Sequence, residues 1–269
     1  MSRAPALFLS HGSPMFAVEP GLLGPNLRDL GASLRDVAAV AIVSPHWQTR
    51  GVRVGTGAHL ETIHDFGGFP AALYQLRYPA SGAPAFAAQA ARLLADAGFE
   101  VAVDPGRGLD HGAWVPLRHL FPDAGIPVFP VSMPHDLDTA GALALGRALA
   151  PLRDAGVLVV GSGSLTHNLY EFRRPAPDPA YAQRFADWAF AAVDARDHAA
   201  LVDYLASAPD AARAHPTPEH YLPLVVAAGA SDPAESVRRI EGGITDGVLS
   251  MDSFGFGLDE ASAAQARAA

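Results

Sequence analysis

The sequence predicts an α/β fold: a single domain with a largely parallel central sheet and flanking helices. Three observations carry that prediction. Short runs rich in β-branched residues alternate with longer alanine-rich stretches, as in strand–helix–strand units. The strand runs are almost continuously apolar, as in strands covered on both faces. The chain of 269 residues is 49% hydrophobic, enough for one sizeable core, and no linker divides it.

Taken in order, Ala6–Ser10 is a short apolar strand and Leu27–Leu34 a helix. Val37–Ser44 and Val52–Gly55 are strands by their valine and isoleucine content, and the alanine-rich Ala83–Ala97 is a helix. Phe99–Val103 returns to strand, Trp114–Leu120 to helix and Pro127–Ser132 to strand. Thr139–Ala155 is helical and Val157–Gly161 the last long apolar strand. The proline-rich segment 171–179 is a loop leading to a helix over Pro179–Ala195. A further helix spans Glu219–Ala228, with Thr217 as N-cap and Pro218 in the first helical position. Ser236–Ile240 and Gly247–Phe254 suit a terminal strand pair. Residues 1–257 thus form the domain, and 258–269 a small, polar tail.

Composition removes several function classes. Acidic residues outnumber basic ones 28 to 19, for a net charge of -9, so a nucleic-acid partner is not expected. There is no cysteine, which excludes disulfides, thiolate zinc sites, iron–sulfur clusters and a thiol nucleophile. Every basic residue is arginine, which excludes Schiff-base chemistry and a P-loop lysine. No run approaches the ~20 apolar residues of a membrane span, and no targeting segment is visible. A soluble, cytoplasmic protein is expected, and a homo-oligomer is compatible with the sequence.

What stands out is the eleven histidines. Three apolar runs end in or near one: Ala6–Ser10 leads to His11, Ala41–Ser44 to His46 through Pro45, and Val157–Gly161 to His167 through Ser162–Thr166. If these strands are parallel, all three imidazoles emerge on one edge of the sheet, where open α/β sheets bind ligands. A lone histidine there is more often a strand cap or a buried hydrogen-bonding group. Three in equivalent positions favour a shared site. Imidazoles without thiolates suit Fe(II), Zn(II) or Mn(II).

His220 is a fourth candidate, with Glu219 beside it. His111 is a fifth, in a loop entering a helix. His64 lies in a loop, Glu61–Pro70, whose glycines and aromatics suit a lid. The segment Gly161-Ser162-Gly163-Ser164 has the small residues of a phosphate cradle but matches neither a dinucleotide fingerprint nor a P-loop nor a nucleophile elbow.

Six blocks, Leu9–Met15, Ser44–Trp47, Ile63–Pro70, Leu109–Trp114, Thr166–Leu169 and Pro216–Leu224, together resemble the DODA-type extradiol aromatic ring-opening dioxygenases. This is a branch of the class III extradiol enzymes, related to the protocatechuate 4,5-dioxygenase catalytic subunit. The resemblance runs from about Ala4 to Phe256. It implies cleavage of a DOPA-like catechol by O2 to a muconic semialdehyde-type product. It also implies one non-haem metal, Fe(II) for activity, with Zn(II) able to occupy the same site. His11, His46 and His220 match the metal ligands. His167 matches the acid–base and a candidate fourth ligand, and His111 a catalytic histidine near the substrate. Ser13, Trp47, His64 and Tyr221 are the expected substrate contacts. The protocatechuate relatives use a glutamate as third ligand, which here would be Glu219; the surrounding block favours His220. Two competing readings use the same residues: a zinc hydrolase with His167 or Glu219 as base, and a metal-holding protein without catalysis.

Overall fold

The computed structural model describes residues 3–34, 36–174, 178 and 180–258. Its centre is an eight-stranded sheet of order β4-β3-β5-β2-β6-β1-β10-β7. The strands are β1 (Ala6–Ser10), β2 (Ala39–Thr49), β3 (Val52–Gly55), β4 (Val101–Asp104), β5 (Val128–Pro134), β6 (Val157–Gly163), β7 (Val237–Ile240) and β10 (Ser253–Phe256). A separate two-residue pair, β8 (Ile244–Thr245) and β9 (Leu249–Ser250), forms a small hairpin. The four central strands β5, β2, β6 and β1 run parallel. β3 and β4 are parallel to each other, with β3 antiparallel to β5, and β10 is antiparallel to both β1 and β7.

Period-2 alternation covers both faces. Leu7, Leu9, Val40, Ile42, Leu158 and Val160 point to one side, over which α1 (Leu23–Ser33) and α3 (His111–Leu120) pack. Phe8, Ala41, Val43, Val157 and Val159 point to the other, toward α2 (Pro84–Asp96), α4 (Thr139–Leu149), α5 (Tyr181–Asp194) and α9 (Leu222–Ala230). Both faces being dry explains why the strand sequences read as unbroken apolar runs. Three short helices, α6 (His198–Val202), α7 (Tyr204–Ser207) and α8 (Ala211–Ala214), join α5 to the segment before α9.

Two boundaries depart from expectation in ways that matter for function. β2 does not stop at Ser44 but continues to Thr49, and its register against β5 slips between Val43 and Gln48. The helix expected from Glu219 begins only at Leu222, so Glu219 and His220 lie in the turn that precedes it. Thr217 does not cap that helix; its hydroxyl donates to Glu219 Oε1 at 2.9 Å. The expected pairing of Ser236–Ile240 with the 247–254 segment holds for β7 with β10, while Leu249 and Ser250 pair with Ile244 and Thr245 instead. The expected tail beyond Leu258 lies outside the described residues.

Gly161 and Gly163 let the first turn of α9 and the turn before it lie directly on β6. A Cβ at Gly161 would strike the Pro223 carbonyl, and one at Gly163 the His220 carbonyl. These glycines serve close backbone approach rather than a phosphate. That contact sets the height of His220 above the sheet edge.

Candidate metal centre

Because β2, β6 and β1 are adjacent and parallel, the residues that follow their apolar cores meet at one edge. His11 follows β1 directly, its N–H donating to Gly163 O at 2.8 Å. His46 stands where the register of β2 against β5 slips, between Val43 and Gln48. His111 opens α3, whose N-cap Asp110 accepts from Ala113 N at 3.1 Å. The N–H of His167 donates to Ala214 O at 2.8 Å, and the preceding Thr166 hydroxyl donates to Val248 O at 2.6 Å. His220 is held through its carbonyl, which accepts from Ser164 N at 3.1 Å.

The five imidazoles form one cluster. The ring centres of His11, His46 and His220 are 5.1 Å (His11–His46), 5.4 Å (His11–His220) and 5.1 Å (His46–His220) apart. The Nε2 atoms of His11 and His46 approach to 3.1 Å. His111 packs on His46 with centres 4.0 Å apart, and His167 stacks on His220 at 3.5 Å with the planes 10° apart. By ligand-atom proximity, His11, His46 and His111 make one metal-compatible group, and His167, Glu219 and His220 another.

Hydrogen bonds fix the tautomers. The Ser162 hydroxyl donates to Gly112 O, so it accepts from His11 Nδ1, 3.0 Å away. Nε2 of His11 therefore carries a lone pair. Nδ1 of His220 donates to Glu219 Oε1 at 3.1 Å, which leaves its Nε2 unprotonated, buried and without a partner among the described residues. Nδ1 of His111 donates to Asp65 Oδ2 at 3.0 Å.

Burial and mutual repulsion keep His11, His46, His167 and His220 uncharged. Burial pushes His11 and His220 well below the ordinary imidazole range, aided by the neighbouring histidines. His46 falls to about 3, chiefly by burial and then by His111, against an opposing pull from Asp65. His167 falls to about 4 by burial, opposed by Glu219. Burial would raise Asp65, yet its hydrogen bonds from His111 outweigh that and bring it down to about 2. Neutral rings at His11, His46, His167 and His220 are a metal-ready donor set.

The comparisons with known proteins agree with that geometry. Residues 5–242 match the family described as the catalytic LigB subunit of aromatic ring-opening dioxygenase. The chain belongs to this family. It is 40% identical to 4,5-DOPA dioxygenase extradiol of Escherichia coli K12, over 95% of this chain and 96% of that one. It is 39% identical to the protein of the same name from Beta vulgaris, over 93% and 95% of the two chains. A crystal structure of an uncharacterized Escherichia coli K12 protein matches with a TM-score of 0.79 and 37% identity, covering 95% of this chain and 100% of that one. The chain is thus an enzyme, a metal-dependent extradiol ring-cleaving dioxygenase, and neither the hydrolase nor the non-catalytic reading is favoured.

For a LigB-family centre the residues fit a metal ion. The orphaned Nε2 of His220 is a buried acceptor that lacks a donor, and an ion would satisfy it together with the inward lone pair of His11. Each of these two rings also donates its Nδ1–H outward, as metal-bound imidazoles characteristically do.

The expected substrate residues are placed differently from one another. Ser13 caps the turn Pro14–Ala17, its hydroxyl accepting from Met15 N at 3.2 Å, and lines a cavity of about 330 Å³ with Glu19, Asp246 and Met251. Trp47 is buried beneath the guanidinium of Arg107. His64 binds Leu76 O at 3.1 Å among the rings of Phe66, Tyr74 and Trp114. Tyr221 is corrected: it is wholly buried, stacked on Tyr204 at 4.0 Å, and its hydroxyl donates to Leu201 O at 2.9 Å. With its polar atom spent in the core, it is not a substrate contact.

Sequence reasoning overlooked the residues behind the histidines. Asp65, Ser162 and Gly112 are three. Ser44, whose hydroxyl donates to Asp110 Oδ1 at 2.7 Å, is a fourth. A Cβ at Gly112 would crowd Ser44 Oγ, His46 Cδ2 at 2.8 Å and His11 Cε1 at 3.2 Å. Asp65 and Gly112 lay within blocks singled out for their histidines, and that nearness was the available signal.

Proposed function

We propose that this enzyme opens the ring of a small DOPA-like catechol with O2, on a divalent ion held by His11, His46 and His220. The proposed active ion is Fe(II), with Zn(II) able to occupy the same ligands. The observation that carries the ligand set is the partnerless, buried Nε2 of His220, on a ring spaced about equally from His11 and His46.

Held by these residues, such an ion would supply Lewis acidity to a catechol chelating it and a route for electron density to O2, provided that positions remain open for both. The protein supplies the rest. His167, neutral at pH 7, takes the catechol proton and returns it during ring opening; stacking on His220 holds it beside the ligand set. His111, packed on His46, is a second proton carrier. Ser13, Trp47 and His64 belong to the segments that carry His11, His46 and Asp65, and we assign the walls of the substrate site to them. The product is a muconic semialdehyde-type compound.

The test is O2 uptake by anaerobically Fe(II)-loaded enzyme offered a catechol panel that includes DOPA. The reading predicts one O2 consumed per catechol with growth of visible absorbance. Bound iron with no uptake across the panel would overturn it.

A further inference from the structure

Asp65 meets His111 through both of its carboxylate oxygens. Oδ1 accepts the backbone N–H of His111 at 2.8 Å, and Oδ2 accepts from the ring Nδ1 at 3.0 Å. The same Oδ2 is 3.7 Å from Nδ1 of His46, too far for a hydrogen bond but near enough for its charge to be felt. The segment carrying Asp65 is tied to both flanks of His111. Leu109 N donates to Glu61 O and Ile63 N to Leu109 O, each at 2.8 Å, and Trp114 Nε1 donates to Ile63 O at 3.0 Å. Phe66, the next residue, meets the His111 ring edge-on at 5.7 Å. The carboxylate therefore does not swing freely; it is delivered to His111 by a strapped loop.

We infer that Asp65 is a positioning residue for ring opening: it fixes His111 as the Nδ1–H tautomer, so that Nε2 is the ring's only acceptor. An ionised carboxylate accepts and never donates, so the ring nitrogen facing it must carry the proton. His167 differs. Among the described residues its ring has a stacking partner but no side-chain hydrogen bond, so nothing comparable sets its tautomer. The two proposed proton carriers are thus unequal, one pre-set by Asp65 and one free to exchange. This rests on the proposed role of His111 beside the substrate.

The variant Asp65→Asn tests it. The amide has one acceptor oxygen where the carboxylate has two. If that oxygen keeps the His111 N–H, the amide NH2 faces the ring and stabilises the opposite tautomer. In zinc-loaded protein labelled with 15N-histidine, one imidazole is expected to change tautomer with metal content unaltered. In iron-loaded enzyme kcat is expected to fall about 10²- to 10³-fold, within the range for losing a placed acid–base group, with KM changed less than about threefold. Asp65→Glu, which restores a carboxylate, is expected to keep the original tautomer and recover part of kcat. An unchanged tautomer in Asp65→Asn, or a changed tautomer with unchanged kcat, would overturn the inference. The tautomer is read without turnover, so a wild-type enzyme that opens no catechol would count against the proposed function while the spectrum still judges Asp65.

Discussion

Nδ1 of His220 lies 3.1 Å from Oε1 of Glu219, its own neighbour in the chain. From sequence these two residues compete for one role, the third metal ligand. In the proposed arrangement each has a separate one: the carboxylate receives the outward proton of the imidazole, and the buried Nε2 would take the ion. In the proposed all-histidine ligand set, a negative charge would thus stand one residue behind the metal. Glu219→Gln should leave the ion bound but weaken it about 10- to 100-fold, the usual cost of losing an outer-shell partner. Chelator competition measures this; unchanged affinity would remove Glu219 from the metal's support.

His167→Ala should retain the ion and slow turnover by about 10²–10⁴. Metal analysis beside steady-state rates separates the outcomes. Loss of the ion would make His167 a fourth ligand, and an unchanged rate would remove it from proton transfer.

Gly112→Ala should damage the centre from behind. Its Cβ would press on His46 and His11 at 2.8 and 3.2 Å, and helix α3 is wholly buried at this point. Overpacking of this kind costs about 1–3 kcal/mol. We expect a lower melting temperature together with weaker metal binding. A stable variant with full metal affinity would show that the two histidines yield easily.

Metal binding at neutral pH should release almost no protons. His46 is lowered to about 3 and His167 to about 4, and His11 and His220 lie well below the ordinary range, so the proposed ligands are already unprotonated. Calorimetry in buffers of different ionisation enthalpy should give the same binding heat. A heat that tracks the buffer would contradict the neutral cluster.

His215, behind the site, gives an acid-side prediction for stability. Its Nε2 donates to Leu165 O at 2.9 Å, and burial lowers it to about 4. In the unfolded chain it takes up a proton as pH falls through about 6.5, whereas the folded protein resists until about 4. Stability is therefore lost as pH drops between those values, by on the order of 3 kcal/mol from this group. His215→Gln should flatten that slope in urea titrations; an equal slope would assign the acid sensitivity elsewhere.

Much of the scaffold was legible because hydropathy records which residues are covered. β1 and β3 lie where their apolar runs lie, and the parallel packing of β1, β2 and β6 brings His11, His46 and His167 to one edge as the run endings suggested. The slip in β2 was not legible, since Ser44-Pro45-His46 reads as a strand end and only pairing with β5 shows that the strand resumes. The late start of α9 was hidden for a similar reason: Thr217 has the chemistry of a cap but spends its hydroxyl on Glu219. The supporting shell was hidden by distance along the chain. Asp65 and His111 are 46 residues apart, and Ser162 and His11 are 151 apart, so no local pattern joins them.

The most direct test of the account is the metal content of His220→Ala and His111→Ala, prepared in parallel and loaded with the same ion. The account predicts that His220→Ala loses the ion and His111→Ala keeps it. An ion retained without His220 and lost without His111 would move the centre to the His11, His46 and His111 group and contradict the ligand set.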